Sequence, residues 1–193
     1  MVTSEKIKTR SYTELASQID AVERMGKWIA HSKMFGCKSE EQGCVIAVDC
    51  FITGMPLLEY QSRNSLIMGR PSIPYDAMLA AFREKGGKTV INSKTPELAS
   101  ITLAMGDQAQ DFSLAWDEAQ QETFPYNGKE DEIVAVLLRG ETPPLKPKYA
   151  TPRSRAIMLF ARVVSDGVRT MAPEVNFGSY TPEEIEDFAG PVT

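Results

Sequence analysis

Residues 99–116 read ASITLAMGDQAQDFSLAW. Ala99 to Met105 alternates in polarity, and so does Ala109 to Ala115, on either side of a Gly106-Asp107 pair that suits a tight two-residue turn. An antiparallel pair of strands is expected here. Just upstream, Lys88 to Asn92 follows the breakers Gly86 and Gly87 and reads as one more short strand. Beyond these strands the apolar spacing becomes helical. Pro74 opens a helix through Ala77, Met78, Ala81 and Phe82 that the two glycines end.

Towards the N-terminus, SLIMGRPSI (65–73) gives two short extended runs about Gly69 and Arg70, a second hairpin. Ser11 with Glu14 makes a capping box for a helix over 12–34, carried by Leu15, Ile19, Val22, Met25 and Ile29. Ser39 with Gln42 opens another, through Val45, Ile46, Val48 and Ile52, which Gly54 ends before Pro56. These two helices are expected to pack on each other. Segment 117–150 is acidic and then proline-rich (ETPPLKPKY), a connection with one strand or helix at Ile133 to Leu138. A long helix follows, with Thr151 as cap and Pro152 in its first turn, and Thr181-Pro182 starts a short last one. The expected fold is α+β: a small antiparallel sheet with hairpins, packed against several helices that include a long basic one near the C-terminus. One domain over 1–193 is expected, with a helical part at 11–54, a core at 55–171 and a short helix and tail at 172–193.

The long helix carries the functional signal. In TPRSRAIMLFARVVSDGVRTM (151–171), Arg155, Arg162 and Arg169 recur every seven residues. Seven residues are nearly two turns, so the three guanidiniums form one slowly drifting stripe, suited to a phosphate backbone. A solvated polar face is the competing reading. Charge distribution favours the first. The chain as a whole is acidic, with 21 basic and 26 acidic residues, yet residues 60–94 hold six basic against two acidic and residues 139–170 hold seven against two. Residues 95–138 hold one basic against nine acidic, and residues 171–193 hold five acidic and no basic. Such blocking suggests a basic surface set against an acidic one.

Other chemistry finds little support. Cys37, Cys44 and Cys50 form no CxxC pair, so neither a disulfide framework nor a zinc site is indicated, and Cys44 and Cys50 read as small core residues. The GGKT at 86–89 lacks the first glycine of a phosphate loop, since Phe82 stands there, and it follows a helix instead of a strand. His31 is the only histidine and reads as an ordinary surface residue. Asp107, Asp111, Asp117 and Glu118 could together hold Mg2+ for phosphodiester cleavage, although carboxylates of this kind more often line a strand edge and a turn. Trp28 and Trp116 are expected in the core or partly buried. Tyr60 and Tyr149, each beside a basic segment, are the candidates for stacking on bases. No apolar run approaches bilayer length and MVTSEKIKTR has no signal-peptide character, so a cytoplasmic protein without membrane contact is expected.

The order MFGCKSEEQG, GMPLLEY, LIMGRPSIPYDAMLAAFREKGGK, ASITLAM, FSLAWDEA and AIMLFARVVSDGVRTMAPEVNFGSYTPEEI, over about residues 25–188, resembles the RecT family of phage recombination proteins. The resemblance implies a non-enzymatic protein that binds single-stranded DNA and anneals it to its complement in homologous recombination, with single-stranded DNA and annealed duplex as its partners. It implies no required cofactor: no ATP, with Mg2+ only as an aid to annealing. It also implies a ring or helical filament of identical copies inside the bacterial host, with a phage exonuclease among its partners. By position, Arg70 matches the basic residue of the family's Gly-basic-Pro turn and Arg162 the arginine after the Met-Leu pair. Tyr149 stands near the aromatic that usually leads into the long helix. The chain ends soon after YTPEE, which weighs against partnership with the host single-strand-binding protein through a C-terminal tail.

The residues themselves then suggest a groove. Arg153, Arg155, Arg162 and Arg169 would supply one wall, and Arg63, Arg70, Lys85 and Lys88 the other, with Tyr149 available to a base. A Mg2+-dependent nuclease built on the acidic cluster and a self-assembling scaffold without DNA affinity remain the alternatives.

Overall fold

The computed structural model describes residues 12–33, 35–67, 70–175 and 179–188. Its contacts divide the chain at Pro71 into two compact units, Met1–Pro71 and Ser72–Thr193.

The first unit is helical: α1 (Tyr12–Ser17), α2 (Ile19–Ser32), α3 (Glu40–Thr53) and α4 (Leu57–Arg63). The helix expected over 12–34 is two helices, because Gln18 leaves helical geometry (φ −124°, ψ 15°) and the Ser17 hydroxyl donates to the Glu14 carbonyl. A serine that bonds its own backbone in this way competes with the helix ladder. Ser11, the first half of that capping box, lies outside the described residues. The second box is present in altered form. Ser39 accepts from the Gln42 amide, while the Gln42 side chain accepts from the amide of Lys38, one residue further out than a reciprocal box requires. Gly54 ends α3 in the left-handed region at φ 70°.

Helices α2 and α3 pack through bare backbone. A methyl group on Gly43 would lie 2.1 Å from the Gly26 carbonyl oxygen, and one on Gly26 would lie 2.5 Å from the Cys44 Cα. Leu15, Val22, Ile29, Phe35, Ile46, Ala47, Cys50 and Phe51 close a small core around this crossing. Cys50 is buried as expected and Cys44 only partly. Trp28 is 74% exposed, contrary to the expected burial. The buried side of α2 is set by Val22, Gly26 and Ile29, and Trp28 points well away from it. A 380 Å3 cavity in this unit is lined by residues that include Met25, Cys50, Met55 and Leu57. Strand β1 (Ser65–Ile67) pairs with β2 (Arg70–Ser72), the expected hairpin, with residues 68–69 between them outside the described residues.

The second unit carries the sheet. After α5 (Tyr75–Glu84), Gly86 at φ 92° turns the chain into β3 (Lys88–Lys94), followed by β4 (Leu98–Met105) and β5 (Gln108–Ala115). The three strands form an open antiparallel sheet in the order β3-β4-β5. Gly106, at φ 58°, stands at the first of the two turn positions, where a tight hairpin calls for glycine. The register sets Ile101 opposite Phe112 and Thr102 opposite Asp111. Pairing between β3 and β4 shifts between Ile91 and Ser93, a bulge at Asn92. Alternation along β4 buries Ala99, Ile101 and Leu103 and leaves Ser100, Thr102 and Ala104 half-covered, so only one face of the sheet is packed.

That face packs against α8 (Pro152–Met171), reached through α6 (Trp116–Ala119), α7 (Glu130–Leu138) and a short 3-10 turn at Pro147–Tyr149. Thr151 caps α8 by accepting from the Ser154 amide, and Pro152 sits in the first turn, both as expected. Met158, Leu159, Val163, Val164 and Val168 meet Ile101 and Leu103 in the main core, with Met78, Leu79 and Phe82 from α5. Gly167 brings α8 close to the sheet: a methyl there would lie 2.7 Å from a Leu103 methyl and 3.1 Å from the Phe112 ring. A second 3-10 turn at Pro173–Val175 and α9 (Pro182–Phe188) complete the α+β fold. Among the described residues no single helix is long and apolar enough to cross a membrane.

Candidate nucleic-acid interface

Helix α8 must bury an apolar face against the sheet, and this fixes where its arginines project. Each guanidinium of the stripe lies over an aromatic ring: Arg155 over Trp116 at 5.2 Å, Arg162 over Phe124 at 3.5 Å and Arg169 over Tyr180 at 4.6 Å. The rings come from α6, from the segment after it and from the approach to α9. The seven-residue spacing is therefore matched by three cation–π seats along one side of the helix.

The three arginines differ in charge environment. Arg169 donates from Nη1 to Glu184 Oε1 (3.0 Å) and from Nη2 to Oε2 (3.1 Å), a bidentate pair, with Asp166 at 3.6 Å. Glu184, buried, also accepts from the Thr181 amide (2.7 Å) and the Ser165 hydroxyl (2.9 Å). Thr181 accepts in return from the Glu184 amide, so the start of α9 is a capping box welded to α8. Arg162 donates from Nη2 to Asp187 Oδ2 at 2.6 Å. Lys146 (2.8 Å) and Lys148 (3.1 Å) reach Asp187 Oδ1, and the Tyr149 hydroxyl lies 3.0 Å from both carboxylate oxygens. The Asp187 side chain is 3% exposed, enclosed by three cations and a hydroxyl. Arg155, half-buried, has no described carboxylate beside it, and its Nε is buried without a hydrogen-bond partner.

The remaining predicted residues are spread more widely. Arg153 is exposed in the first turn of α8, and Lys88 is exposed at the start of β3, opposite Ala104. Lys85 lies 3.8 Å from Glu174. Arg63 pairs with Glu59 along α4 at 3.0 Å, within the first unit. Arg70 begins β2, and its side chain lies outside what the structure describes. Tyr149 is 3% exposed with its ring in the main core, which corrects its expected role as a stacking platform: the ring offers no open face to a base. Tyr60 is half-buried against the first core, and burial, reinforced by Asp49, pushes its hydroxyl well above the usual tyrosine range.

Lys146, Lys148, Phe124 and Asp187 were not singled out by the sequence reading. The signal for the lysines was the basic excess of residues 139–170, and for Asp187 the acidic run of residues 171–193. The carboxylates of the nuclease alternative do not meet. Asp107 lies in the turn before β5 and Asp117 in α6 after it, with the eight-residue strand between them. Asp111 accepts from Thr102 on the open sheet face, and Glu118 from the Ala115 amide. Among the described residues no His, Cys, Asp or Glu side chains form a group of three that could hold a metal ion. His31 is exposed, its Nδ1 at 2.7 Å from the Lys27 carbonyl. At the GGKT segment the Thr89 hydroxyl accepts from Arg83, and Gly87 lies against the Phe82 ring. Among known proteins the chain matches no family model, no curated protein and no solved structure.

Proposed function

We propose that the protein binds single-stranded DNA through its phosphates and anneals complementary strands without ATP, in the manner of the phage recombination proteins its sequence resembles. The observation that carries this reading is the aromatic-seated arginine stripe of α8, extended by Lys146 and Lys148, in a chain that is otherwise acidic. Annealing requires one strand's charge to be neutralised while its base edges stay free, and a line of guanidiniums supplies the first without obstructing the second. Seven residues of helix advance about 10.5 Å at 1.5 Å per residue. That is roughly three nucleotides at the 3.4 Å rise of a B-form strand, so a strand alongside α8 would place about every third phosphate near an arginine.

One protomer offers few such contacts. Useful affinity then comes from many copies along one strand, through effective concentration, and the exposed acids of residues 95–138 give a neighbouring copy's basic residues a complementary face. A bacterial cytoplasmic setting follows from this reading.

Arg155 is the test residue, because no described carboxylate offsets it. Arg155→Ala should weaken binding to oligo-dT and to mixed-sequence oligonucleotides alike, and flatten the log–log salt slope by roughly 0.7 per lost phosphate contact. Loss confined to particular sequences would indicate base readout and count against the backbone model.

A further inference from the structure

We infer that Lys146, Lys148, Tyr149 and Arg162 form a phosphate site that the protein fills with its own Asp187, so that the last turn of α9 is a built-in competitor of the DNA backbone. The inference rests on the function proposed above and adds its regulation.

The two carboxylates that α9 presents to α8 are held differently. Glu184 belongs to the helix start. It satisfies its own cap at the Thr181 amide, the buried Ser165 hydroxyl and both Nη atoms of Arg169, and Ile185 beside it is 1% exposed. Removing Glu184 would leave several buried donors without acceptors, so this end of α9 is an anchor. Asp187 lies next to the last residue of α9, and among the described residues none of its hydrogen bonds serves its own helix. Among the described residues every partner it has belongs to the basic cluster: Arg162 at 2.6 Å, Lys146 at 2.8 Å, Lys148 at 3.1 Å and the Tyr149 hydroxyl at 3.0 Å.

Three cations surround one carboxylate, and the Asp187 side chain at their centre is 3% exposed. Four donors directed at two oxygens also match what a phosphodiester's two non-bridging oxygens accept. A phosphate entering as Asp187 leaves would orphan no donor, and the exchange replaces one negative charge with another. Only the last turn of α9 has to move, while the Glu184 anchor stays in place. Two acids of the C-terminal run, Glu184 and Asp187, thus meet the basic run that precedes it in sequence.

The test compares wild-type protein and Asp187→Asn for binding of labelled oligo-dT across a salt series. Asparagine keeps the size of the side chain and removes its charge. The inference predicts about tenfold tighter binding and a salt slope steeper by roughly 0.7, one further phosphate contact. Binding by the variant alone would support it equally, as a site fully closed in the wild type. Wild-type binding with an Asn variant that is equal or weaker would overturn the competitor and leave the DNA reading intact. Failure of both proteins to bind would overturn the DNA reading and the competitor with it. In case the variant does not fold, hydrogen exchange on the wild-type chain gives a second readout. Saturating oligo-dT should accelerate amide exchange across residues 186–188, whereas slower or unchanged exchange there would overturn the inference.

Discussion

Arg155, Arg162 and Arg169 were readable as a set because a period of seven depends on nothing outside the helix. What separates them was not readable. Asp187 is 25 residues from Arg162 and 41 from Lys146, and no local pattern links residues so far apart. Tyr149 shows the same limit: an aromatic beside lysines suggests a platform in sequence, but the 3-10 turn folds its ring into the core, where Lys148 lies over it, and aims its hydroxyl at Asp187. In the first unit, burial and then Asp49 push the Cys50 thiol from its ordinary 9.0 to about 11. The folded state therefore keeps a proton that the unfolded chain releases first. Its contribution to stability is full below pH 9 and is lost as pH rises through about 11. Chemical denaturation between those two pH values should show the wild type losing on the order of 2 kcal/mol more than Cys50→Ala. Equal losses would place the thiol in a more solvated environment.

At the level of elements, the hairpins, the helix starts at Ser39 and Thr151 and the turn at Gly106 followed from residues that dictate local geometry. The break at Gln18 was hidden because the apolar spacing continues across it, and only the Ser17 bond to its own backbone marks the interruption. Glycine roles in packing were hidden for another reason. Gly43 and Gly167 look alike in sequence as helix-interior glycines, yet Gly43 abuts a backbone oxygen and Gly167 a leucine methyl. The two should respond differently to alanine. Backbone cannot yield cheaply, so Gly43→Ala should cost about 3 kcal/mol, near the upper end for overpacking, whereas Gly167→Ala should cost about 1 kcal/mol. Part of the second penalty is offset by alanine's better helix propensity. Urea melts of the two variants would check the order, and a milder Gly43→Ala would mean that α2 and α3 separate easily.

For the whole molecule, segmental charge proved more informative than net charge. The chain is acidic overall, but α8 and the turn before it form one of its two basic blocks, and Glu184 and Asp187 of α9 sit against them. Sequence gave the blocks and the order of elements. Which acid meets which base depends on how α9 returns across α8, a property of tertiary folding that composition does not contain. The same contrast sets the most direct test of the central claim. Two complementary labelled oligonucleotides are mixed with the protein, without ATP, with and without Mg2+, and both pairing rate and strand length are followed. Faster pairing of intact strands, suppressed by added salt, is the predicted result. Pairing no faster than without protein would contradict the annealing account, and shortened strands would transfer the case to a nuclease.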